Sequence, residues 1–291
     1  PRPPGALSAD RDASTMSAID VAVLDHHAHG IPAADYAELL ARRLPDREVR
    51  LAATPDEHRR YLREATVVAG KRIGADEVAA AENLRLFACN SAGVDHLPLD
   101  ALAERGVAVT NASGVHAPNV AEHVLGWVLT FARRLDEGRR RQRRREWRRF
   151  QSFTEVAGST VTVVGLGAIG EAVAERFAAF DVDTIGVRYS PEKGGSTDEV
   201  VGYDDLPDAL PGTDVLVLAC PLTETTEGLI GEAELDALPT DAVVVNVARG
   251  GVIDTPALVD ALRSNALHGA ALDVTDPEPL PSDHDLWGFE N

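Results

Sequence analysis

Residues 160–177, TVTVVGLGAIGEAVAERF, set a β-branched run directly before three glycines and a helical repeat. The run Thr160 to Val164 reads as a buried strand, and Ile169, Val173 and Phe177 recur behind it at helical spacing. A strand that turns at once into a helix belongs to a sheet whose helices carry the chain back across its faces, which is a parallel sheet. The loop has the form Gly165-x-Gly167-x-x-Gly170. Such glycines let the backbone approach a pyrophosphate, while the helix start aims free N–H groups at its charge. A tight strand–helix turn with no ligand uses the same glycines, so the loop alone leaves both readings open.

The alternation continues along the chain. Strand patterns at 19–24, 48–51, 65–68, 84–89 and 107–109 are separated by helical ones such as 33–43 and 55–63. A second series has strands at 161–164, 184–187, 215–219, 243–247 and 270–274. Two α/β domains follow, each a doubly wound parallel sheet, over residues 16–113 and 114–291 with a cleft expected between them. Residues 1–15, rich in Pro, Asp and Ser, are expected to be a disordered extension. A helix is predicted over 118–135, with Val120, Val124, Val128, Phe131 and Leu135 as its apolar stripe.

Composition narrows the setting. Cys89 and Cys220 each end an apolar run and lie far apart, which reads as reduced thiols in a cytoplasmic protein with no disulfide or metal site. No apolar run approaches the roughly 18 residues of a membrane span. The 47 acidic residues outweigh 28 basic ones for a net charge of −19, and only Lys71 and Lys193 are lysines. An acidic, lysine-poor surface suits concentrated salt, where screening is short-ranged; an ordinary acidic enzyme from a GC-rich genome is the alternative.

Residues 133–149 run against this trend. They hold ten arginines against Asp136, Glu137 and Glu146, a local charge of +7 that leaves −26 on the rest of the chain. A nucleic-acid patch is one reading. The acidity of the remainder favours an arm that is solvated or pairs with a second copy of the chain, which predicts a homodimer and no nucleic-acid partner.

Further motifs add chemistry to the glycine loop: NSAGVD (Asn90 to Asp95), TNASGVHAPNVAEHVLG (Thr110 to Gly126), CPLTETT (Cys220 to Thr226), VNVARGGVID (Val245 to Asp254) and DVTDPEP (Asp273 to Pro279). Taken in this order, the chain from Ile19 to Asn291 resembles the D-isomer-specific 2-hydroxyacid dehydrogenases. The resemblance implies a flavodoxin-like substrate domain, a Rossmann nucleotide-binding domain, and the reduction of 2-oxo acids to D-2-hydroxy acids with a nicotinamide cofactor.

The residue types suit that chemistry. Arg249 follows an apolar run and should emerge at the carboxyl end of a parallel strand, where such sheets bind ligands. Its guanidinium offers a planar fork for carboxylate and carbonyl oxygens and keeps its proton. Glu278 resembles the acidic partner that orients a catalytic histidine and raises its pKa by opposite charge. Ala92 and Gly93 resemble backbone donors to the substrate carboxylate, with a plain turn as the alternative. The resemblance assigns cofactor contacts to Gly165, Gly167, Ala168, Ile169, Gly170, Cys220, Pro221, Thr226, Val247 and Ala248, and sets Asp273 near the nicotinamide carboxamide.

An NAD enzyme usually ends its second strand with Asp or Glu on the ribose hydroxyls. Here the segment is IGVRYSPEKGG, and Arg188 stands at that place. Arg188 can pair with a 2′-phosphate and Ser190 can donate to it, which predicts NADP as cofactor, with NAD still admitted. Stacking of Arg188 on the adenine is the weaker alternative.

The family's proton-donating histidine lies in a Thr-Pro-His segment beyond the glutamate, and this chain is expected to stop short of it, as a fragment of a longer reading frame. His96, His116 and His123 are expected to be structural or cleft-lining, and His284, in the SDHDLW loop six residues after Glu278, is not expected to replace the proton donor. The alternative to an enzyme is a cofactor-sensing binding protein of co-repressor type on the same fold.

Overall fold

The computed structural model describes residues 19–27, 30–150 and 152–291. The extension at 1–15 lies outside them. The chain divides into two compact units, Pro1–Ser113 and Gly114–Asn291. Both are doubly wound parallel α/β sheets, in keeping with the alternating pattern.

Unit 1 contains β1 (Val21–Leu24), α1 (Ala33–Arg43), β2 (Val49–Ala52), α2 (Pro55–Glu64), β3 (Val67–Gly70), α3 (Ala75–Ala80), β4 (Leu86–Cys89), α4 (Leu99–Glu104) and β5 (Ala108–Thr110). The strand order is β2-β1-β3-β4-β5, all parallel. The interior strand β1 is buried along its whole length, and Leu24, Phe87 and Leu102 are fully enclosed in the core of this unit. Local chemistry sets the helix starts. Thr54 caps α2, accepting from the Glu57 amide while Glu57 takes the Thr54 amide, and Pro55 occupies the first turn, where a missing N–H costs nothing.

Unit 2 opens with α5 (Ala117–Arg133) and α6 (Leu135–Arg144). It continues through β6 (Thr160–Val164), α7 (Ala168–Phe177), β7 (Asp183–Val187), β8 (Glu199–Val201), α8 (Leu206–Ala209), β9 (Val215–Leu218), α9 (Glu232–Ala237), β10 (Val243–Asn246), α10 (Thr255–Ser264) and β11 (Gly269–Leu272). The six strands run β11-β10-β9-β6-β7-β8. Separate apolar clusters cover the two faces, one with Leu216, Leu218 and Val244, the other with Val161, Val163 and Phe177. Burial on both faces explains why β9 and β10 read as unbroken apolar runs instead of alternating ones. Among the described residues no helix is long and apolar enough to cross a membrane.

Two expectations need correction. The helix predicted over 118–135 ends at Arg133, because Arg134 adopts a left-handed conformation (φ 52°) and caps the last carbonyls through its N–H. Its buried stripe is Ala121, Val124, Val128 and Ala132, with Val120 and Phe131 at the margin; Leu135 is 51% exposed and starts the next helix. That helix, α6, carries the middle of the arginine-rich stretch. Asp136 and Glu137 in its first turn and arginines in its last complement the helix dipole, and Arg140 meets Asp136 at 3.0 Å. The chain then folds back so that the Arg141 guanidinium covers the Phe150 ring at 4.3 Å. The second correction is β8, three residues at the sheet edge that the strand pattern omits. Asp198 fixes its start by accepting from both the amide and the hydroxyl of Thr184.

Candidate functional site

The expected unit 2 residues come together along one edge of the sheet, at the carboxyl ends of β6, β7, β9, β10 and β11. The strand order reverses between β6 and β9, which is where doubly wound sheets take ligands. The glycine loop fills that point, and its three glycines have different reasons. Gly165 has φ 100°, and a Cβ there would sit 2.5 Å from the Cys220 amide nitrogen; one at Gly170 would sit 2.0 Å from the Gly165 carbonyl. These two close the turn against the protein itself. Gly167 has nothing within 4 Å of a Cβ, is exposed, and stands at the cap of α7. That bare, outward-facing backbone at a helix start fits a phosphate group, and Ala168 and Ile169 follow it in the first turn.

Arg188 directly follows β7 and is half-buried. Its guanidinium donates to the Gly194 carbonyl and lies 3.8 Å from Glu171 on α7, so it ties down the loop that Ser190 and Lys193 ride on. On the other side of the glycine loop the CPLTETT segment leaves β9. Thr226 is buried, and its hydroxyl donates to the Pro221 carbonyl and accepts the Thr223 amide, which braces the segment from within. Cys220 is also buried. Burial pushes the pKa of its thiol up to about 11. The part of Cys220 that meets the glycine loop is therefore its backbone.

Val247, Ala248 and Arg249 follow β10. Asn246, 1% exposed, holds this turn from below: its Oδ1 accepts the Ala248 amide at 2.9 Å and its Nδ2 donates to the Arg249 carbonyl at 2.9 Å. Arg249 is half-buried, and its guanidinium donates to the Ala248 carbonyl at 2.7 Å. Residue-type reasoning picked the arginine and missed the asparagine, although a polar residue closing a run of four apolar ones was the available signal. A Cβ at Gly250 would lie 2.1 Å from the Thr275 carbonyl carbon and 2.4 Å from the Asp276 nitrogen. The arginine turn is thus pressed against the DVTDPEP segment, in which Asp276–Pro277 and Glu278–Pro279 are cis. Glu278 and Asp273 are both exposed. Asp273 Oδ1 lies 3.6 Å from His123 Nε2 on α5, and the Trp127 indole donates to the same nitrogen at 2.9 Å.

In unit 1, Ala92 and Gly93 are half-buried in the loop after β4. That loop is held through its carbonyls: Ser91 accepts the Ala112 amide and Ala92 accepts the Asn111 side chain. Of the other histidines, His96 bonds the Lys71 carbonyl, and His284 caps a short helical turn by accepting the Leu286 amide.

Comparison with known proteins agrees with this geometry. Residues 125–291 match the family model described as D-isomer specific 2-hydroxyacid dehydrogenase, NAD binding domain. The chain is 37% identical over 228 residues to a glyoxylate reductase of Thermofilum pendens, covering 76% of this chain and 67% of that protein. It is 34% identical over 250 residues to a D-3-phosphoglycerate dehydrogenase of Methanocaldococcus jannaschii, covering 84% of this chain and 47% of that protein, so it spans about half the length of such relatives. A crystal structure of a D-isomer specific 2-hydroxyacid dehydrogenase family protein from Aeromonas salmonicida superimposes with a TM-score of 0.82 at 30% identity, over 94% of this chain and 86% of that one. From the carboxyl-edge constellation, the family match over more than half the sequence and these relatives, the chain belongs to the D-isomer specific 2-hydroxyacid dehydrogenase family.

Proposed function

We propose that the protein is a dehydrogenase that reduces 2-oxo acids to D-2-hydroxy acids, with NADP as the preferred cofactor. The bound cofactor supplies the hydride. The observation that carries the reading is the mounting of Arg249: a buried asparagine fixes its turn at the carboxyl end of β10, and Gly250 presses that turn onto the segment bearing Glu278. A guanidinium so placed holds the substrate carboxylate and polarises the neighbouring carbonyl, which lowers the barrier by stabilising the charge that develops on oxygen. Glu278 orients an imidazole acid and keeps it protonated by opposite charge. The Ala92 and Gly93 amides donate to the substrate carboxylate. The glycine loop takes the pyrophosphate, the CPLTETT and Val247–Ala248 backbones line the cofactor, and Asp273 accepts from the carboxamide.

The NADP preference rests on the residue that directly follows β7. A carboxylate there would repel a 2′-phosphate, whereas Arg188 presents a cation beside Ser190. The acidic, lysine-poor composition supports a protein that works in concentrated salt, and the +7 segment at 133–149 supports pairing with the acidic surface of a second copy.

NADPH oxidation measured with a panel of 2-oxo acids, on protein that includes the family's Thr-Pro-His segment, tests the reading. Turnover is expected, with kcat/KM falling about 10²- to 10³-fold in Arg249→Gln. Loss of the reading follows if no 2-oxo acid is turned over, or if Arg249→Gln works as well as the parent. In titrations NADPH should bind at least about tenfold more tightly than NADH, and Arg188→Asp should reverse the order; equal affinities discard the NADP assignment.

A further inference from the structure

The helix that opens unit 2 brings two ring side chains to the cofactor edge that the reaction above leaves unused. His123 and Trp127 lie one turn apart on α5, and Asp273 follows β11 opposite them. All three belong to unit 2. None is sealed off: about half of the His123 and Asp273 side chains is open to solvent, and Trp127 is 40% exposed.

Their hydrogen-bond roles follow from the atoms involved. An indole N–H can only donate, so His123 Nε2, 2.9 Å from Trp127 Nε1, is the acceptor and carries no proton there. The rings meet edge to face, with centroids 5.8 Å apart. Asp273 Oδ1 faces the same nitrogen at 3.6 Å. That is too long for a hydrogen bond, and two acceptors gain nothing by closing the gap. A neutral His123 therefore leaves the carboxylate alone.

Protonation reverses these relations. Both imidazole nitrogens then donate, and the Trp127 N–H loses its acceptor. The new Nε2 proton faces Asp273, where a charge-assisted bond forms on closing to about 2.8 Å. The Asp273 backbone is anchored against this movement. Its N–H donates to the Asn246 carbonyl, one residue past the β10–β11 pairing, and Asn246 is also the residue that mounts the Arg249 turn. The swing is confined to the side chain.

Of the charges on neighbouring elements, the structure pairs Asp273 with His123. On α5 itself Glu122 meets Arg176 of α7 at 3.5 Å, and His116 stands at the helix start. On α7, Glu171 lies 3.8 Å from Arg188 and Glu175 is exposed. The charges of α6 begin beyond Arg133, at the carboxyl end of α5. Arg249 follows β10, the strand beside β11, and Asp276 and Glu278 are exposed on the segment beyond Asp273.

We infer that His123 is a positioning residue for the cofactor. Neutral and bonded to the Trp127 indole, it leaves Asp273 open to the nicotinamide carboxamide; protonated, it draws that carboxylate away. The inference rests on the reading of Asp273 as the carboxamide acceptor. Cofactor affinity then falls as the pH is lowered, because the protonated state is the weaker binder.

The test is a pH titration of tryptophan emission and of NADP affinity, both on the whole chain. A protonated imidazole against an indole quenches its emission. Between about pH 8 and about pH 5 the parent should show a quenching step that His123→Gln and Trp127→Phe both lack. Bound NADP should move the midpoint of that step to lower pH, since binding and proton release are linked. Over the same range NADP affinity should fall at least about threefold further in the parent than in His123→Gln, a difference from which titration of the cofactor's own phosphate cancels. The 3-acetylpyridine analogue of NADP, which has no amide N–H, should show no such difference. Absence of the quenching step, equal pH dependence of NADP affinity in parent and His123→Gln, or a difference that persists with the analogue overturns the inference alone. If Asp273→Asn binds NADP as tightly as the parent at about pH 8, where His123 is expected to be neutral, the reading of Asp273 falls and the inference with it.

Discussion

The two sheets share one architecture and finish their carboxyl edges in opposite ways. In unit 2 the switch point is built by removing side chains: Gly165 and Gly170 close the turn on the protein itself, and Gly167 leaves backbone bare at a helix start. In unit 1 the corresponding point is built by adding them, with His26, His96 and Cys89 all bonded to the backbone of the residue that carries an exposed ammonium. A ligand recognised through main-chain N–H groups needs close approach, whereas one recognised through charge needs fixed cations with room in front of them. The same fold therefore ends one switch point in bare backbone and the other in a turn braced by side chains.

The sharpest way to break this contrast is at the glycines. Gly165→Ala puts a methyl group 2.5 Å from a backbone nitrogen at a φ of 100°, and should cost about 3 kcal/mol or more of stability, read as a lowered Tm. Gly167→Ala meets nothing within 4 Å, so Tm should hold while NADPH affinity falls at least about tenfold. If both variants melt alike and bind alike, the division of labour among the glycines is wrong.

A middle-sized effect is expected at Asn246. Replacing it by Ala removes both bonds to the arginine turn and leaves a buried amide and carbonyl unpaired, which should cost about 1–3 kcal/mol. The kcat for 2-oxo acids should fall by more than the loss of folded protein explains; an unchanged kcat would mean that the turn is fixed by its glycine contact alone.

The smallest effect concerns the cysteines, which hold comparable places in the two sheets. Cys220 has its pKa pushed up to about 11 from 9, chiefly by burial, so at pH 8 its thiolate is about a hundredfold rarer than in an ordinary cysteine. Iodoacetamide labelling of the native protein followed by mass spectrometry should find Cys220 unmodified at pH 8 and reactive only as the pH approaches 11. Rapid labelling at pH 8 would show the β9 edge to be open.

The alternation of strands and helices was legible because burial on both faces of a parallel sheet writes continuous apolar runs, as in VLVL of β9 and VVVN of β10. The glycine loop and Arg249 were legible because backbone approach and anion binding each admit few residue types. The break at Arg134 was not, since a left-handed residue in a run of charged ones leaves no apolar trace. β8 is too short to show a period. The bracing of the Lys71 backbone was invisible for another reason: it depends on bonds to His26 and His96, 45 and 25 residues away in the chain, and only the fold brings those together.

The contact at Gly250 has a consequence for how such a chain can vary. With no space for even one carbon between the arginine turn and the Thr275–Asp276 backbone, neither loop can be reshaped alone. An insertion, a bulkier residue or a tilt in one is transmitted at once to the other, so the two behave as a single mechanical part. Natural or engineered diversification of this edge is channelled towards loops with slack, such as the one after β7.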